Sequence, residues 1–212
     1  MLPNEKRNTM ANSCYNLLEI WGNDQVTQQV RAWNTALDKV DVTSDDVHRM
    51  GTIRKVFYPS IPDAQAIDLG SKWVHPDSES TGSDEESLGF QSAWSRPVEL
   101  EKQIACLLFQ LDPSVVIRNR FNIDDGTEGV AYTLAKSATE AVSVEASANF
   151  NFDDLDEEDI EDEEVNRRET YREEEFDLIS DLICEHPHIK STFKKHQIEL
   201  DLDDDFFEGF DG

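Results

Sequence analysis

Positive charge is scarce in this chain: 19 Lys and Arg stand against 46 Asp and Glu, a formal net charge of −27. Contact with a nucleic-acid backbone depends on cations that replace its counterions, so the deficit argues against direct binding of DNA or RNA. It argues equally against an anionic membrane surface. Long apolar runs are missing as well. No stretch approaches the ~20 apolar residues of a membrane-spanning helix, and the opening residues MLPNEKRNTM lack the apolar core of a secretory signal. Cysteine is limited to Cys14, Cys106 and Cys184. An odd number without C-x-x-C spacing is no disulfide framework and fits a reducing cytoplasm. There is no phosphate-binding glycine loop, dinucleotide fingerprint, nucleophile elbow or H-E-x-x-H helix. Carboxylates are so numerous that proximity in sequence singles out none as acid or base. The expectation is a binding protein that is not an enzyme and carries no cofactor.

What is present divides in two. Residues 150–212 hold 24 acids and 6 Lys and Arg, whereas the residues before them hold 22 and 13. The last third therefore carries about two thirds of the net charge, and the boundary falls near Asn149. Residues 1–12 read as a flexible extension, 13–148 as a mixed α+β domain and 149–212 as an acidic C-terminal region. Within the domain, Cys14 to Trp21 alternates as a strand. Asp24 is placed to cap a helix reaching Asp38, with Val26, Val30, Trp33 and Leu37 on one face. Ile53 to Tyr58 reads as a second strand stopped by Pro59, and Leu88 to Trp94 as a third. Between them, residues 77–87 read as a polar loop. Pro97 opens a helix presenting Leu100, Ile104, Leu107, Leu108 and Leu111. Val115 to Asn122 and Gly129 to Ala135 form a hairpin about Asp124-Asp125-Gly126, and Thr139 to Ser147 alternates as a further strand. This order is that of a ferredoxin-like split βαβ sandwich with an added strand or hairpin.

Two features carry a family resemblance: Trp21-Gly22 closing the first strand before an amphipathic helix, and Leu88-Gly89-Phe90-Gln91-Ser92-Ala93-Trp94-Ser95-Arg96-Pro97 running into the second helix. Over residues 11–136 the chain resembles the YubB-like ferredoxin-like proteins of bacterial plasmids, phages and pathogenicity islands. The family's Trp-Gly pair before Trp73 is replaced here by Gly70-Ser71-Lys72. The resemblance implies the fold and a mobile-element origin, and it brings no established activity.

The acidic region offers the candidate sites. Asp153, Asp154, Asp156, Glu157, Glu158, Asp159, Glu161, Asp162, Glu163 and Glu164 place 10 acids in 12 residues. As a helix, at ~1.5 Å per residue, the run presents one charge per ~1.8 Å, against ~1.7 Å for duplex DNA. As an unpaired block of like charge it is instead a loose spacer. Phe176, Ile179, Leu182 and Ile183 give residues 166–185 one apolar face, so Glu173, Glu174 and Glu175 extend the acidic surface along a docked helix. The partner implied is a basic, nucleic-acid-binding host protein, inhibited by DNA mimicry. A second candidate is the tip, residues 199–212, where Asp203, Asp204 and Asp205 precede Phe206, Phe207 and Phe210. Acids beside exposed rings make a docking peptide for repair or replication proteins; rings packed inward make a piece of core. A third reading is a carboxylate-metal hydrolase. Cys184, His186, His188 and His196 match no common zinc spacing. Arg118 and Arg120, alternating outward on one strand, are expected to pair with the protein's own acids. The four tryptophans are expected in packing.

Overall fold

The computed structural model describes residues 12–41, 43, 45–58, 68–77, 87–152 and 157–210. Six strands form: β1 (Ser13–Trp21), β2 (Val74–Pro76), β3 (Ser87–Ala93), β4 (Val116–Ile123), β5 (Thr127–Ser137) and β6 (Glu140–Asn149). They form one antiparallel sheet in the order β2-β3-β1-β4-β5-β6. Helices α1 (Asp24–Leu37), α2 (Asp46–Phe57) and α3 (Val98–Leu108) precede β4, and α4 (Glu157–Glu185), α5 (Lys190–Lys195) and α6 (Asp204–Glu208) follow β6. The protein is therefore α+β.

Both faces of the sheet are used, because successive side chains on a strand point to opposite sides. Leu18, Ile20, Leu88, Phe90 and Ile117 pack with Val26, Val30, Trp33 and Leu37 of α1, Ile53 and Phe57 of α2, and Leu100, Ile104 and Leu108 of α3. On the other face, Trp21, Val116, Val130, Tyr132, Leu134 and Ala146 pack with Ile179, Leu182 and Ile183 of α4 and with Ile189, Phe193, Leu200, Leu202 and Phe207 beyond it. The acidic region is thus no appendage. It forms the third layer of the fold and completes a second core.

Two local expectations are corrected. Residues 53–57 are helical: Ile53 and Phe57, one turn apart, are both buried, and Phe57 meets Trp33 edge to face at 4.9 Å. The β-branched residues and Pro59 suggested a strand, but the i,i+4 pair decides the period. The cap of α1 is Asn23, whose side-chain oxygen accepts from the N–H groups of Gln25 (2.9 Å) and Val26 (3.2 Å). Asp24 lies in the first turn, where its charge faces the positive end of the helix dipole. The polar loop expected over 77–87 falls, from 78 to 86, outside the described residues, as do residues 1–11 of the expected extension.

The core beneath α3 carries a polar network. Arg96 and Glu101, 5% and 0% exposed, form an ion pair. Asn119 Nδ2 donates to Glu101 Oε1 at 2.8 Å and to Asn16 Oδ1 at 3.1 Å, while Thr133 Oγ1 donates to Glu101 Oε2 at 3.0 Å. Arg96 Nε reaches Glu145 at 2.6 Å. Burial raises the Glu101 carboxyl above its ordinary value, against the pull of Arg96 and of these donors. The network joins α3 to β1, β4, β5 and β6. Gly70 (φ +84°) sits against the start of α3, where a Cβ would lie 2.8 Å from Val98 N and 2.7 Å from Glu99 N.

A candidate interface on the acidic helix

Residues 157–185 form a single helix of 29 residues, ~43 Å long. Like charges oppose it, and two devices offset them. Its inner face docks on the sheet through Tyr171, Phe176, Leu178, Ile179, Leu182 and Ile183. Arg167 pairs with Glu163 (2.7 Å) and Arg168 with Glu164 (3.0 Å), each one turn back. The same arginines fasten the helix to the domain: Arg167 donates to the Asn149 carbonyl at 2.6 Å and lies over Phe152, and Arg168 lies over Phe150. Arg172 lies over Phe176 and pairs with Asp201. All three arginines of α4 are thereby turned to groups of the protein itself. His186 N–H bonds back to Leu182 O at the last turn, and Pro187 begins a short 3-10 turn.

The outer face is left to acids. Asp162, Glu169, Glu173, Asp177 and Asp181 are exposed and follow one another at steps of seven and then four residues. This is one helical stripe with a charge every ~6 Å over its second half. At the helix start, Glu157–Glu164 puts seven acids in eight residues. Over ~12 Å of axis that matches, in acids, the ~1.7 Å charge spacing of duplex DNA. Two of the seven, Glu163 and Glu164, are paired with arginines of α4 itself, so the net charge is sparser than the acids.

The predicted residues fall into four groups. Asp153, Asp154 and Asp156 lie outside the described residues. Glu157, Glu158 and Asp159 lie on the helical backbone, and Glu161, Asp162, Glu173 and Glu174 are exposed along it. Glu163 and Glu164 are half-buried and paired to the arginines one turn on. Glu175 does not belong to the outer surface. Its carboxylate accepts from Tyr132 Oη (2.5 Å) and pairs with Arg118 (3.1 Å), whose other partner is Glu19 (3.5 Å). Glu19 also holds Arg120 at 2.7 Å, so both arginines do pair with internal acids. Burial drives the Tyr132 phenol well above the ordinary tyrosine value. Glu169, Asp177 and Asp181 were missed. Their signal was the four-residue spacing that continues Glu173 outward, which a count of acid density does not see.

The C-terminal tip is folded inward, contrary to a docking peptide with exposed rings. Asp203 caps α6 by accepting from Phe206 N–H at 2.8 Å. Phe207 is 1% exposed in the second core, and Phe206 packs on Phe176, Phe207 and Phe210. Asp205 is exposed, and the side chain of Asp204 is not described. Leu200 is buried from a turn and Leu202 from the segment just after it. His196 stacks on Trp21 at 4.4 Å and His186 meets His188 at 6.0 Å. Among the described residues, no three His, Cys, Asp or Glu side chains gather as a metal site. Trp21 and Trp33 are buried as expected, but Trp94 is 52% exposed in a left-handed conformation (φ +69°). Among the described residues no helix is long and apolar enough to cross a membrane.

No protein-family model, curated protein or solved structure matches this chain. A functional reading rests on its own residues.

Proposed function

We propose that this chain is a non-enzymatic, cytoplasmic acidic binding protein of a mobile genetic element, and that it inhibits a basic, nucleic-acid-binding host or defence protein by occupying that protein's DNA-binding surface. The observation that carries the reading is the construction of α4. One face and all three arginines are committed to the protein's own fold, and the opposite face is a stripe of carboxylates held at fixed spacing. A rigid acidic rod keeps its charges in register with a cationic groove, whereas a loose tail loses entropy on binding. The net charge of −27 steers a basic partner toward it and makes the contact sensitive to salt.

We also read β1-α1-β2-β3-α3-β4, whose strands lie in the order β2-β3-β1-β4, as a ferredoxin-like split βαβ unit to which β5 and β6 add a hairpin. α2 is then an insertion before β2. This is the arrangement implied by the resemblance to the YubB-like proteins, and it supports a mobile-element origin.

The test is charge reversal of the stripe. Lysine at Asp162, Glu169, Glu173, Asp177 and Asp181 should abolish binding to a basic DNA-binding partner and leave the melting temperature within a few degrees of wild type. Undiminished binding at moderate salt rejects the proposal.

A further inference from the structure

The C-terminal helices cover only part of their face of the sheet. Beside α4, the floor of β1 and β4 stays open as a groove of about 450 Å³, within the usual range of small-ligand sites. Its lining includes Tyr15 and Leu17 of β1, Arg118, Arg120 and Asn122 of β4, and Tyr171 of α4.

The polar groups of this groove are unequally engaged. Of the two carboxylates in its lining, Glu175 holds Arg118 and Tyr132 through one oxygen and Glu128 faces Arg168 at 3.9 Å, while Glu19 beside the groove holds both Arg118 and Arg120. Its donors are left over. Arg120 uses Nη2 on Glu19 while its side chain is 54% exposed. Tyr15 is 41% exposed and Asn122 is exposed. Neither these two side chains nor the Tyr171 hydroxyl has a hydrogen-bond partner among the described residues. Arg118 Nε is buried without an acceptor. Burial and the neighbouring Glu175 carboxylate hold the Tyr171 phenol above its ordinary value, so it stays a donor at physiological pH. The site therefore offers hydrogen-bond donors, a half-exposed guanidinium and two phenol rings, and each of its carboxylates faces an arginine.

We infer that this groove binds a small aromatic anion of mononucleotide type, its base against Tyr15 and its phosphate on Arg120. Aromatic side chains stack any base through its π-face, and a guanidinium holds phosphate with charge-assisted hydrogen bonds. The net charge limits the ligand's size. A mononucleotide brings one or two negative charges, but each further nucleotide of a strand brings another toward a chain of charge −27. Tyr171 lies on the docked side of α4, opposite the acidic stripe, so this inference does not rest on DNA mimicry.

Calorimetric titration of the full chain with the four common nucleoside monophosphates, with adenosine, with ribose 5-phosphate and with a short single-stranded oligonucleotide tests it. At least one monophosphate should bind saturably, and better than adenosine, ribose 5-phosphate or the oligonucleotide. Tyr15→Ala should weaken the monophosphate and adenosine roughly tenfold and spare ribose 5-phosphate. Tyr15→Phe should restore stacking. Arg120→Gln should weaken the monophosphate roughly tenfold and spare adenosine. Both positions are exposed, and circular dichroism verifies that the fold survives. Three results overturn the inference: no saturable monophosphate binding at about 1 mM, binding unchanged by both variants, or an oligonucleotide that binds more tightly than any monophosphate.

Discussion

Glu175→Ala tests how the acidic helix is fixed. Glu175 and Arg118 are 13% and 12% exposed in their side chains, and their 3.1 Å contact joins α4 to the middle of the sheet. Removing one partner of a buried pair costs about 3–5 kcal/mol. Here Glu19 stays near Arg118 at 3.5 Å, while Tyr132 Oη loses its acceptor inside the second core. These effects place the loss at about 2–3 kcal/mol. Glu175→Gln keeps the shape and an acceptor for Tyr132, and should lose about 1 kcal/mol. Urea unfolding followed by tryptophan fluorescence, to which Trp21, buried against Phe193 and His196 in that core, contributes, reads the difference. With a slope of about 2 kcal/mol per molar, the midpoint should fall by about 1 M or slightly more. A double-mutant cycle with Arg118→Ala should give a coupling of at least about 1 kcal/mol. A loss below about 0.5 kcal/mol for Glu175→Ala, or no coupling, refutes the claim that this pair fastens the helix.

Glu101→Ala leaves Arg96 buried without its main partner and should destabilise the chain by about 3–5 kcal/mol in the same assay; a loss under about 1 kcal/mol contradicts the network described beneath α3. Gly70→Ala puts a Cβ within 2.8 Å of two backbone nitrogens at positive φ, and should lower stability by about 2 kcal/mol or more, with an unchanged melting temperature as the contrary result. Cys14 is fully buried, and burial pushes its thiol up to about 11. It is therefore neutral until strongly alkaline pH, so a thiol reagent at about pH 8 should modify exposed Cys184 and leave Cys14 protected until the chain unfolds. Mass spectrometry of the peptides distinguishes the two, and rapid modification of native Cys14 would contradict its placement.

Local signals made much of the domain readable. β1, the β4–β5 hairpin and β6 show alternating patterns with Gly, Asn or Asp at their turns or ends, and α1 and α3 each show four or more apolar residues at helical spacing. Signals that depend on distant residues were not readable. The acidic run from Asp153 to Glu164 could be read as a helix or as a loose spacer because its repulsions are adjacent in sequence, while the docking that holds its described part, from Glu157 on, in a helix comes from residues far away. Glu175 looked like one of three equivalent acids, since its partner Arg118 lies 57 residues earlier. Phe207 could be read as exposed or as packed inward, because only the assembled second core shows the space it fills. Ile53 to Tyr58 was misread because a short apolar run fits both periods, and the buried i,i+4 pair emerges only against Trp33. The positive φ of Trp94 has no sequence signature at all.

If the outer stripe of α4 acts as a DNA-like surface, this chain should compete with DNA for a basic protein. The most direct measurement is competition: a basic DNA-binding protein held on labelled duplex DNA, titrated with this chain and with its variant carrying lysine at Asp162, Glu169, Glu173, Asp177 and Asp181. The wild-type chain should displace the DNA, less effectively as salt rises, and the variant, equally folded, should not. Equal displacement by both chains, or displacement by neither from any basic DNA-binding protein tried, would contradict the proposal.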